Sequence, residues 1–129
     1  MEKQEYLLKL AMFEQEINAL GQQLQVIEQQ TLEMQNLQLG LQELKESREK
    51  QMFANLGKNI FIKTEIKDKN LLVDVGNRVF VKKSIDETLK VAEEQLGKLM
   101  ETKDKLIDKM QEIQKQTEKV ISEVEKSGK

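Results

Sequence analysis

Apolar residues in the first third of the chain recur at alternating intervals of four and three. Tyr6, Leu10, Phe13, Ile17, Leu20, Leu24 and Ile27 follow this series, and Thr31 and Met34 extend it. The spacing keeps one stripe of side chains on one side of a helix and forms the a/d seam of a heptad repeat. After Met34 the apolar positions that keep a helical frame are Leu37, Leu41 and Leu44. This frame, displaced by one three-residue step, predicts a stammer that locally overwinds a coiled coil. The last third is more regular, with Ile85, Leu89, Ala92, Leu96, Leu99, Leu106, Met110, Ile113, Val120 and Val124 on one seam and Lys103 and Thr117 as its polar members. Each helix spans roughly 40 residues, about 60 Å at the helical rise.

Between the helices the period falls to two. Ile60, Ile62, Thr64 and Ile66 point one way and Phe61, Lys63, Glu65 and Lys67 the other, the signature of a strand with one apolar face. Asp68-Lys69-Asn70 reads as a turn; Leu71, Val73 and Val75 resume the apolar face. Gly76 and Asn77 tolerate the positive φ that a tight hairpin demands, and Val79 and Val81 run back. Gln51–Leu56 before Gly57 reads as a further, weakly apolar strand. The segment thus contains up to four strands in two hairpins. Ser84-Ile85-Asp86-Glu87 is a capping box that starts the second helix. Three segments result: a helix over 1–50, a β-module over 51–83 and a helix over 84–129, with Ser127–Lys129 as a frayed tail. Gly21, Gly40 and Gly97 fall inside the helical patterns as points of local softness.

Two helices of equal length around an insert fold back as an antiparallel coiled coil, and a two-residue loop would suffice to reverse the chain. Isolated hairpins bury one face poorly and leave edges unpaired. The β-module is therefore expected to complete itself by assembly with other chains. At the far end, Leu7, Leu8, Ala11 and Met12 are apolar beyond what the seam needs, and Ile113, Val120, Ile121 and Val124 return alongside. Such an excess marks an interaction patch, and methionine suits loosely specified contacts.

Composition narrows the classes. In 129 residues, 38% are hydrophobic, 4% aromatic and 34% charged, too little apolar material for a large private core. A net charge of −2 gives no general attraction to nucleic acid or anionic lipid. The chain has no cysteine, histidine or proline, so disulfides, thiolate chemistry and the commonest general base and zinc ligands are missing. No phosphate-binding loop is present. The carboxylate pairs Glu65/Asp68 and Asp86/Glu87 are better explained by turn and cap roles. No apolar run reaches the ~20 residues of a membrane span. Lys9 and Glu14 interrupt the apolar start, which does not read as a signal peptide. A cytoplasmic, non-enzymatic protein without cofactor or metal is expected. The glutamine-rich run from Gln22 to Gln30 reads as a solvated helix face, Lys103 as a register residue with a buried stem, and Arg78, Lys82 and Lys83 as guards of a strand edge.

The order long helix, FIKTEIKDKNLLVDVGNRVFVKKSIDE, long helix resembles the alpha-class subunit of the prefoldin family, most sharply over LLVDVGNRVFVKKSIDETL. The insert holds two hairpins, which favours the alpha over the single-hairpin beta class. The resemblance implies an α+β, mainly α fold: a long antiparallel coiled coil of two helices joined by two β-hairpins that assemble into an intersubunit β-barrel. It implies a hexamer of two alpha-class and four beta-class subunits that holds unfolded client proteins without ATP and passes them to a group II chaperonin. Assembly contacts are then expected at Ile60, Ile62, Ile66, Leu71, Val73, Val75, Val79 and Val81. Client contacts are expected at Tyr6, Leu7, Leu8, Leu10, Ala11, Met12, Phe13, Ile113, Val120, Ile121 and Val124. The competing expectation is a structural scaffold that forms homo-oligomers or filaments through its β-module.

Overall fold

The computed structural model describes residues 3–127. Its elements are α1 (Lys3–Glu46), β1 (Gln51–Gly57), β2 (Ile60–Glu65), β3 (Leu71–Asp74), β4 (Phe80–Lys83) and α2 (Ile85–Ser127). The fold is mainly helical, two long helices with two small antiparallel hairpins between them in sequence. Of the tail expected to fray, Ser127 is helical, and Gly128 and Lys129 lie outside the described residues. The chain divides into two compact units, one of Met1–Glu33 with Leu96–Lys129 and one of Met34–Gln95.

In the first unit, α1 and α2 lie side by side: Glu16, Ala19 and Leu20 share a groove with Lys109, Ile113 and Gln116. Tyr6, Leu106 and Val120 are buried, and the other seam positions on both helices are half-buried. The heptad spacing is thus realised position by position. Its polar members fit for local reasons. Thr31 donates its hydroxyl to the Ile27 carbonyl at 2.7 Å and Thr117 to the Ile113 carbonyl at 2.8 Å, so neither places an unpaired group in the seam. Lys103 is half-buried at its seam position, as a lysine can be when its aliphatic stem lies along apolar surface.

In the second unit the seam departs from expectation. Leu37 stays 45% exposed, while Gln38 is half-buried and Leu41 buried. The stammer expected after Met34 is therefore absent: the four-then-three spacing continues through Gln38 to Leu41. An unbroken helix fixes which azimuth meets the partner, and a glutamine stem fills that place while the leucine beside it does not reach it. Two three-residue steps in a row appear only later, from Gln38 to Leu41 and from Leu41 to the half-buried Leu44.

Polar contacts organise the ends of the helices. The last turn of α1 closes with Ser47 N–H donating to the Glu43 carbonyl at 2.9 Å. Lys69, in the loop between hairpins, then donates its ammonium to the Ser47 carbonyl at 2.6 Å and the Lys45 carbonyl at 3.4 Å, a cation placed where the helix end is electronegative. Lys45 pairs with Asp86 at 2.7 Å, bringing the end of α1 beside the start of α2. Gln35, Gln38, Leu39 and Gln42 share a groove with Leu89 and Glu93, so the helices run antiparallel. At the α2 start, Ser84 Oγ accepts the Glu87 N–H at 3.1 Å and donates to Glu87 Oε1 at 3.1 Å. The expected box is half changed: the carboxylate closes onto the hydroxyl instead of the backbone N–H of Ser84.

Three outcomes follow. First, a Cβ built at Gly21, Gly40 or Gly97 meets nothing within 4 Å. Each Gly→Ala change there is expected to raise unfolding free energy by about 0.5–1 kcal/mol in thermal melts, whereas Gly57→Ala and Gly76→Ala destabilise because those residues sit at φ 115° and 121°. Second, Leu106→Ala, which opens the thin seam, is expected to cost about 2 kcal/mol by denaturant titration. Third, the hydrogen bond and charge of Asp86 raise the Lys45 pKa above the ordinary lysine range. The pair's small contribution is present at neutral pH and is lost as pH rises through that raised pKa. Asp86→Asn should abolish this alkaline slope in a stability profile.

Candidate functional site

Of the twenty large apolar side chains exposed among the described residues, eleven lie in the β-module. β1 pairs antiparallel with β2, setting Met52 opposite Thr64, Phe53 opposite Lys63, Ala54 opposite Ile62 and Asn55 opposite Phe61. β3 pairs with β4, setting Leu71 opposite Lys83, Leu72 opposite Lys82, Val73 opposite Val81 and Asp74 opposite Phe80. Residues opposite one another share a face. One face of the first hairpin therefore carries Met52, Ala54 and Ile62, and one face of the second carries Leu71, Val73 and Val81. Among the described residues no segment covers either face fully: Ala54, Leu71 and Val73 are half-buried, while Ile62 is 50% and Val81 40% exposed. β1, the strand with the weakest sequence signal, is the longest of the four, because pairing with β2 supplies the order that its own composition does not.

The two hairpins repeat one pattern. FANLGKNIFIK (53–63) and LVDVGNRVFVK (72–82) align without a gap, nineteen residues apart. The backbone repeats as well. Gly57, Lys58 and Asn59 have φ of 115°, 49° and 62°, and Gly76, Asn77 and Arg78 have 121°, 51° and 62°. Both turns have positive φ at the two central residues, the arrangement that matches the twist of flanking strands. Each is pinned two residues upstream: Asn55 Oδ1 accepts the Gly57 N–H at 2.8 Å, and Asp74 Oδ1 accepts the Gly76 N–H at 2.9 Å. A carboxamide and a carboxylate do the same work, since either offers an acceptor to its own turn.

All eight residues expected at an assembly surface lie in or beside these hairpins. Ile60, Ile62, Val75, Val79 and Val81 are exposed, and Ile66, Leu71 and Val73 half-buried. The alternation pattern missed the opposite face, where Phe53, Phe61, Leu72 and Phe80 are each more than half exposed. Their signal was the repeat itself: Phe61 and Phe80 occupy the same place in both copies, as do Lys63 and Lys82. An open groove of about 440 Å³ beside the first hairpin is lined by Leu44, Ser47, Met52, Phe53 and Ile66 among others.

The residues expected to touch clients separate into two sets. Leu7, Leu8, Ala11, Met12 and Ile121 are exposed. Tyr6 and Val120 are buried and Leu10, Phe13, Ile113 and Val124 half-buried, so these six side chains build the seam beneath the exposed set. Among the described residues no group of three or more acidic or metal-type side chains is placed to hold an ion, and no helix is long and apolar enough to cross a membrane.

A family model described as Prefoldin, "Prefoldin subunit", matches residues 13–129. Among solved structures, a filamentous PFD from Methanocaldococcus jannaschii is similar, with a TM-score of 0.76 and 18% sequence identity over 89% of this chain and 97% of that chain. No curated protein matches. With most of its length covered by the family model and both helices and hairpins in place, this chain belongs to the prefoldin family.

Proposed function

We propose that this chain is an alpha-class prefoldin subunit, part of an ATP-independent holdase that captures non-native proteins at its apolar helix ends and delivers them to a group II chaperonin. The observation that carries the reading is the pair of exposed hairpins that repeat one turn geometry and one pattern of apolar positions. Two equivalent incomplete sheets in one chain offer two equivalent docking places. That valence fits an assembly in which two alpha-class chains each engage two beta-class chains, six subunits with hairpins closed into a barrel. In this reading residues 51–83 are the assembly module, flanked by coiled-coil segments 1–50 and 84–129, and the site of action is the cytoplasm. It assigns no catalysis and no cofactor.

Capture follows from the chemistry of the exposed end. Leu7, Leu8, Met12 and Ile121 are held out by the buried Tyr6 and Val120. Each contact with an unfolded chain is worth about 1 kcal/mol at ~25 cal/mol per Å². Several ends acting on one client multiply such contacts by effective concentration, while each remains weak enough to release. Deletion of residues 1–12 removes most of this surface and leaves the hairpins intact.

A second reading is favoured by the similar structure's being a filamentous PFD: a scaffold of like chains polymerised through the β-module. Native mass measurement separates the two. Mixed with a beta-class prefoldin, the chain is expected to form a hexamer that slows aggregation of a diluted, unfolded enzyme without ATP. Deletion of 1–12 is expected to abolish protection and spare the hexamer; retained protection removes the tip assignment. A ladder of homopolymers indifferent to the beta-class partner overturns the alpha-class reading. Ile62→Asp with Val81→Asp places a charge on each apolar face and is expected to weaken assembly by about thirtyfold or more, read as loss of hexamer at micromolar concentration.

A further inference from the structure

The outward faces of the two helices differ in chemistry. In the unit formed by Met1–Glu33 and Leu96–Lys129, the seam positions define which residues of each helix point away from the partner. On α2, every outward position from Gly97 to Lys126 is charged except Gly97, Gln111 and Ser122, the usual dress of a solvated coiled-coil back. On α1, no outward position from Leu8 to Leu32 carries a charge. Apolar Leu8, Met12, Val26 and Leu32 stand there, each more than half exposed, with Gln15, Asn18, Gln22, Gln25 and Gln29 and the small Ala11 and Ala19 between them.

Past Lys9 this strip has acidic rails. Glu14 and Glu28 stand on one flank; the other carries Glu16, with Lys9 one heptad before it, and Glu33 stands at the far end. No lysine or arginine occurs between Lys9 and Lys45, although the chain holds 21 of them. Around Val26, an open groove of about 550 Å³ runs between Gln22, Gln25, Gln29 and Gln30. The Gln29 amide donates to Glu33 Oε1 at 3.2 Å, which keeps the carboxylate turned along the helix.

We infer that the outward face of α1 between Leu8 and Leu32 docks an amphipathic helix of another protein whose apolar stripe is flanked by lysine or arginine. An apolar and amide centre with acidic flanks is half of a heptad interface, and the missing half carries basic residues where this half carries glutamates. A second copy does not complement it: α1 against α1 sets acidic rails against acidic rails, and the back of α2 mixes lysines with carboxylates. The strip is about 36 Å long at the helical rise, room for six turns of helix. It overlaps the capture end at Leu8 and Met12, but Glu14, Val26, Glu28 and Leu32 lie beyond residue 12, so a test made at those four positions does not depend on capture at the tip.

The full-length chain is titrated against fluorescent 21-residue peptides that share one apolar heptad stripe and carry lysine, glutamate or glutamine on its flanks. By anisotropy at low salt, the lysine peptide is expected to bind about tenfold or more tighter than the glutamate peptide, and the difference to shrink in molar salt as charges are screened. Val26→Ser with Leu32→Ser is expected to weaken lysine-peptide binding at least about fivefold. Glu14→Gln with Glu28→Gln, which leaves helix propensity nearly unchanged, is expected to erase the preference for lysine. Helicity by circular dichroism is read for every variant. Equal binding of the three peptides, or lysine-peptide binding unmoved by both double variants, overturns the inference. Aggregation protection by the tip-deleted chain is scored separately, so failure of either proposal leaves the other standing.

Discussion

A seam one side chain thick is the constraint behind the other features of this molecule. Two paired helices bring only their a and d residues together, and among the described residues the buried apolar side chains are Tyr6, Leu41, Ile85, Ala92, Leu106 and Val120. No side chain among the described residues is shielded completely. Each seam residue gains some burial, but nothing beyond the seam can be covered from within the chain. The apolar groups left over at the hairpins and at the helix ends therefore remain in contact with water, as patches of the kind that mark interaction sites.

The β-module shows how local order is achieved without a core. Each hairpin is fixed by backbone pairing, by a turn with two residues of positive φ and by an Asn or Asp that anchors the turn glycine. These are short-range devices, so the hairpins present a defined surface before any partner arrives. Pre-ordering lowers the entropic cost of association. The Lys69 ammonium at the end of α1 and the Lys45–Asp86 pair add polar ties between the helix ends and the module in the same unit. Such ties set geometry more than stability, because exposed ion pairs contribute little energy.

Polar seam residues are tolerated here for reasons that differ by residue. Threonines return their hydroxyls to the preceding turn of their own helix, Lys103 has an aliphatic stem that suits a half-buried position, and Gln38 lays its stem where a leucine is expected. The outward faces reverse the logic, since α1 carries amides and apolar groups where α2 carries charges. A coiled coil with one charged back and one uncharged back has a preferred side for company.

The sequence alone determined the helices, the regular seam of α2, the start of that helix at Ser84 and the presence of two hairpins, because each depends on contacts only a few residues apart. Helical and strand periods, caps and turn glycines act locally, and their residues name them. Tertiary structure decided what local pattern leaves open. It placed Gln38 in the seam and Leu37 outside it, since only the partner helix defines the facing side. It made a strand of Gln51–Gly57, whose order comes from pairing with β2. It separated Tyr6 and Val120 beneath from Leu7, Leu8 and Ile121 above, and it put Phe53, Phe61 and Phe80 on a second exposed face, because burial is a property of neighbours in space and not of neighbours along the chain.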